Sequence, residues 1–169
     1  MTGLPAGAAG HDPPVDDTRR FSLASAFAAA GDDETLARWV GDFLASHGSD
    51  NEVLAAALAQ DRHWWLGPVL VPVDHLIRLA GPEDQVQCPI EPGQWEGDVD
   101  AMEESLDEGW EPPPLLAEHR DGRLLLQDGN HRYEALVRGG ETHAWTLIWF
   151  DDARARDEFR RTTSFASTP

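Results

Sequence analysis

The run Leu124-Leu125-Leu126-Gln127-Asp128-Gly129-Asn130-His131-Arg132-Tyr133-Glu134-Ala135-Leu136 constrains this chain more than any other stretch. Three leucines make a short apolar strand, Asp-Gly makes a tight turn, and the residues from Asn130 onward open a helix. A strand that passes through a glycine turn into a helix directs backbone N–H groups outward, and the helix dipole there favours negative charge. His131 and Arg132 stand at that positive end, where two cation-capable groups are locally unfavourable unless an anion is near. Phosphate binding at Gly129, Asn130, His131 and Arg132 is therefore the expectation. Structural alternatives stay open. Asn130 is a good N-cap, and Gly129 suits a turn that needs positive φ. Asp128 makes the turn, orients His131 or holds Mg²⁺ indirectly. Tyr133, Ala135 and Leu136 read as packing, and Glu134 with Arg138 as a surface pair one turn apart.

The chain has 169 residues, which suits one domain with a modest extension. Its net charge of −18 argues against a sequence-independent DNA binder, which would present a basic face to phosphates. A local arginine-lined pocket for a small anion is compatible with that balance. All 13 basic residues are arginine. A Walker-type phosphate lysine, a Schiff-base lysine and a kinase strand lysine are therefore excluded, and any phosphate contact must come from Arg, His, backbone or metal. Cys88 is the only cysteine, and no Cys/His cluster has zinc-ligand spacing, so no protein-bound metal site is expected. No run of about 18 apolar residues exists to span a membrane. No basic region followed by an apolar core opens the chain, so a cytoplasmic location is the default.

Residues 1–18, rich in Gly, Pro, Ala and Asp, read as disordered. Residues 19–65 read as a helical extension. Phe21–Ala30 suits a short helix. Asp32 caps a second, whose Leu36, Trp39, Val40, Phe43 and Leu44 form an apolar stripe, with a stop near His47-Gly48. Ser49 and Glu52 have capping-box spacing for a third. Residues 66–160 read as a mixed α/β domain with a small mixed sheet, and 161–169 as a polar tail. His63–Pro68 reads as a junction. Val69–Val73 is β-prone, with Pro72 marking an edge or an end. Gly81–Gly97 reads as a long irregular loop. Val99, Met102 and Leu106 mark a helix ending at Gly109. Asp121-Gly122 turns a hairpin between Leu115–Glu118 and Leu124–Gln127. Helix Asn130–Arg138, strand Ala144–Phe150 and a last helix capped by Asp151-Asp152 follow.

Asp128–Ala135 resembles the signature turn of the ParB/sulfiredoxin superfamily, in the Gly-x-His-Arg-Tyr-x-Ala form of the sulfiredoxin branch. Val71–Arg78 resembles the superfamily's opening strand and turn. Val99–Gly109 with Pro112-Pro113-Pro114-Leu115 resembles its helix, Pro-Pro and strand, and the pieces arrive in the expected order. The resemblance covers roughly half the chain. Two departures limit what it implies. Asn130 stands where sulfiredoxins place their catalytic cysteine, and the chain ends soon after Phe159, where chromosome-partition proteins continue into a DNA-binding region.

The resemblance implies a nucleotide-binding protein and admits an ATP- or ADP-dependent phosphotransferase, with CTP as a further nucleotide. Asp128, Gly129, Asn130, His131 and Arg132 would hold phosphates, Arg78 would assist, and Mg²⁺ would bridge. Glu83 or Asp84 would activate a hydroxyl on a small acceptor, with His131 taking part in the chemistry. Two further readings stay open. One is a non-catalytic module that senses nucleotide or docks a protein through its N-terminal helices. The other, which the charge disfavours, is a nuclease. Trp64, Trp65, Trp95 and Trp110 read as core or pocket rim.

Overall fold

The computed structural model describes residues 20–165. The expected disordered N-terminus and the last residues of the expected tail lie outside it. Among the described residues the order opens with the helices α1 (Leu23–Ala29), α2 (Asp33–Leu44) and α3 (Glu52–Leu58). Each starts on a polar side chain that accepts a backbone N–H. Ser22 takes Ser25, Asp32 takes Thr35 and Asn51 takes Leu54. Asn51, not Ser49, therefore caps α3, because the Ser49 hydroxyl is committed elsewhere. Helix α2 ends at Leu44, one turn before the expected stop.

The chain then runs β1 (Trp64–Pro72), a 3₁₀ turn (Val73–His75), β2 (Leu76–Arg78), β3 (Ala80–Gly81) and β4 (Cys88–Pro89). Next come α4 (Pro92–Asp107), β5 (Leu115–Arg120), β6 (Arg123–Asp128), α5 (Asn130–Arg138), β7 (His143–Phe150) and α6 (Ala153–Thr162). The main sheet has the order β1-β7-β5-β6-β2, and β3 and β4 form a separate two-stranded ladder. Strand β1 lies antiparallel to β7, and β7 parallel to β5. Strand β5 lies antiparallel to β6, and β6 parallel to β2. The architecture is mixed α/β, as the sequence implies. Pro72 ends an edge strand, where its missing N–H breaks no ladder bond. His63–Pro68 is not a free junction: Trp64, Trp65 and Leu66 pair with β7, and a bulge between Leu66 and Val69 absorbs Gly67-Pro68.

Side-chain alternation along the central strands feeds two cores. On one face Leu116, Leu147, Trp65 and Trp149 pack against the stripe Leu36, Val40, Phe43 and Leu44 of α2. On the other, Leu115, Ala117, Leu126, Ile148 and Phe150 pack with Tyr133, Leu136 and Phe159. The apolar face of the N-terminal helices is thus turned onto the sheet, and Val53, 84% exposed, is the large apolar residue they leave in solvent. Within the expected loop Gly81–Gly97, Pro92 begins α4 with the Glu91 carboxylate accepting Gln94 N–H. Trp95 and Val99 of α4 then bury against Ala135 of α5. Helix α4 ends at Asp107, and the expected stop Gly109 follows in the left-handed region at φ 89°, with Gly109 and Trp110 N–H bonding Leu106 and Ser105 carbonyls.

Candidate functional site

Strand β6 hands the chain to α5 through Gly129, which holds φ 91° as the helix N-cap. A Cβ there would sit 2.7 Å from Leu115 Cδ2 and 2.9 Å from Arg132 Nη2, so only glycine fits the turn. Helix α5 spans Asn130–Arg138 as the sequence predicts, but Gly129 and not Asn130 is its cap, with no side chain capping the first turn.

The Asn130 side chain does different work. Its Oδ1 accepts Leu79 N–H at 3.0 Å and Ala80 N–H at 3.2 Å, while Nδ2 donates to the Leu126 carbonyl at 3.3 Å. It fastens the exit of β2 to the start of α5. Arg132 turns inward and is 5% exposed. Its Nη2 donates to Asp128 Oδ2 at 2.7 Å, and its Nη1 to the Pro113 carbonyl at 2.8 Å. The guanidinium carbon lies 5.3 Å from the Phe43 ring centroid. Burial pulls the Arg132 pKa below its ordinary value, and the Asp128 carboxylate opposes that. The other Asp128 oxygen accepts the Ser49 hydroxyl at 2.9 Å and the Asn51 amide at 3.1 Å. This is why Ser49 does not cap α3. Asp128 is a knot joining the turn, the motif arginine and the approach to α3.

His131 lies on the other side of the same turn, partly buried. Its ring centroid lies 4.4 Å from that of Trp95, and Nε2 is 3.8 Å from Asp98 Oδ2 without a hydrogen-bond partner among the described residues. Burial pushes its pKa down, and Asp98 pulls the other way. Arg78 shares the same indole, with its guanidinium carbon 4.7 Å from the Trp95 centroid. Its Nη1 donates to Glu134 Oε2 at 2.8 Å, and its Nη2 meets the Glu83 carboxylate. Glu134 also accepts from Arg138 Nε at 3.0 Å, so the expected surface pair exists within a larger network that includes Glu96.

Of the expected site residues, the fold sets Arg78 and His131 against Trp95, with Glu83 on Arg78. It turns Asp128, Asn130 and Arg132 toward internal partners. Asp84 is exposed and has no hydrogen bond or ion pair among the described residues. Asp98, Ser49 and Asn51 were not marked by the sequence as site residues. Trp95, expected as core or pocket rim, is buried against Arg78 and His131. An open groove of about 780 Å³ lies beside His131, walled by Asp98, Met102, Ser105, Glu108 and Trp110. Among the described residues no group of three or more His, Cys, Asp or Glu could hold a metal ion. No helix there is long and apolar enough to cross a membrane.

No family model and no curated protein matches the sequence. Among the solved structures similar to it are a sulfiredoxin and a ParB-N domain. Sulfiredoxin from Arabidopsis thaliana aligns with a TM-score of 0.36 and 16% identity, over 58% of this chain and 97% of that one. A Pnob8-like ParB-N domain aligns with a TM-score of 0.35 and 21% identity, over 57% of this chain and 33% of that one. At these identities the likeness is one of fold alone.

Proposed function

We propose that this protein is a binding module without phosphotransferase activity, and that its ligand seat is the groove beside His131. One observation carries this reading: the polar side chains around the motif already serve internal partners. Arg132 is held by Asp128, Arg78 by Glu134 and Glu83, and Asn130 by the backbone of Leu79 and Ala80. Phosphoryl transfer depends on cations directed at the transferring group and on a carboxylate that orients the acceptor hydroxyl. Here the expected base Glu83 is engaged with the very arginine that would assist it. The groove, in contrast, offers an imidazole, an indole, a thioether and two carboxylates to a ligand without breaking an internal ion pair to arginine.

A second reading rests on a different observation. The first turn of α5 has no side-chain cap, and Arg78 and His131 share Trp95 close to it. A Mg²⁺-nucleotide would there exchange its phosphate for the Glu83 carboxylate on Arg78. Calorimetric titration of ATP, ADP and CTP with Mg²⁺, run beside a phosphate-transfer assay on hydroxyl-bearing acceptors, tests both readings. The module reading expects no transfer to any acceptor, and transfer above the protein-free rate contradicts it. The second reading expects heat that Arg78→Ala abolishes, and no heat from any nucleotide rejects it.

A further inference from the structure

The turn between α1 and α2, the β1 bulge and α6 meet around a cavity of about 660 Å³. It shares no lining residue with the groove beside His131, so a ligand in one leaves the other free. Its volume lies in the range of small-molecule sites, and it opens where helices pack onto a sheet edge. Phe27, Trp65 and Phe165 provide aromatic walls, and Arg156 and Arg160 line it with Asp32 and Asp33.

Donors and acceptors in this cavity are unequally committed. Asp32 accepts both the N–H and the hydroxyl of Thr35 at 2.8 Å. Asp33 accepts Trp65 N–H at 3.2 Å through Oδ1 and Arg156 Nη1 at 3.1 Å through Oδ2. Both carboxylates are therefore spent. The Arg160 guanidinium is not: Arg160 is exposed and meets no carboxylate among the described residues. Trp65, 5% exposed, lines this cavity and the neighbouring one beside α3, and its indole N–H has no hydrogen-bond partner among the described residues. A guanidinium bonds anions more strongly than neutral groups.

We infer that this cavity binds a small organic anion with a flat apolar body, a carboxylate or a phosphate monoester. Its charge would lie at Arg160, and its ring would lie among Phe27, Trp65 and Phe165.

Titration with benzoate and phenyl phosphate tests this, with inorganic phosphate and benzyl alcohol as half-ligands. Saturable binding of at least one aryl anion is expected, with each half-ligand weaker by about tenfold or more. Stronger binding of benzoate or of phenyl phosphate tells which headgroup the cavity prefers. Arg160→Ala should weaken the aryl anion by about tenfold, whereas Arg161→Ala, one residue further on, should leave it within about twofold. The indole N–H resonance of Trp65, identified by its loss in Trp65→Phe, should move on saturation. No saturable binding of either aryl anion, equal losses in the two arginine variants, inorganic phosphate binding as well as phenyl phosphate, or an unmoved Trp65 resonance would each overturn the inference.

Discussion

The first turn of α5 has an inner and an outer side, and they treat the same kinds of residue in opposite ways. Inside, Asp128, Asn130 and Arg132 form a closed set: each polar group meets an internal partner, and the set ties β6, β2 and the approach to α3 to one turn. Outside, His131 and Arg78 share the Trp95 ring, and the carboxylates that meet them, Asp98 and Glu83, are half exposed. A histidine and an arginine adjacent in sequence thus end in different solvents. Buried, a charge needs a committed partner; half-buried, it can exchange one.

The largest effect that would break this contrast is expected at Asp128. Asp128→Ala leaves Arg132 buried without its counter-ion and frees Ser49 and Asn51, at a cost of about 3–5 kcal/mol. Urea unfolding measures it, and a loss below about 1 kcal/mol would mean that the inner set is dispensable. Gly129→Ala comes next, because a Cβ at φ 91° would press on Leu115 and on the Arg132 guanidinium. Its expected cost is about 2 kcal/mol in the same experiment. Asn130→Ala is smaller overall, about 1 kcal/mol, but local. Amide exchange at Leu79 and Ala80 should accelerate while β5 amides keep their protection.

The smallest effect belongs to the outer side and to pH. Burial holds the His131 pKa below 6.5 in the native state. The folded protein therefore favours the neutral ring. Its contribution is present above pH 6.5 and is lost as pH falls through the lowered native value. Burial also lowers His119, which adds a contribution of the same sign. Thermal midpoints should therefore fall on acidification below 6.5, and His131→Phe should remove part of that fall and leave the His119 part. A His131→Phe profile superimposable on the wild type would show that its ring titrates as in water.

Local patterns carried most of the fold. The stripe of α2, the Asp121-Gly122 hairpin, the extent of α5 and the glycine stop of α4 all come from spacing and turn chemistry that neighbours in sequence decide. Pro and Gly act as more than breakers at two places. Pro92 begins α4, since the first helical position needs no N–H. Gly67-Pro68 interrupts β1 without ending it, since a bulge absorbs both. The site was less legible. Ser49 and Glu52 have the spacing of a capping box, yet the Ser49 hydroxyl goes to Asp128, 79 residues away. Nothing in either neighbourhood encodes that bond. Likewise, the helix-dipole argument treats His131 and Arg132 alike, and only the tertiary position of Asp128 separates them.

Equilibrium unfolding of Arg132→Met tests most directly whether the motif arginine holds the fold. Asp128 would then be buried with its arginine gone, and a loss of about 3–5 kcal/mol relative to the wild type is predicted. Unchanged or increased stability would contradict this, because relieving an unpaired cation at a positive helix end is what removal of a ligand-facing arginine would do.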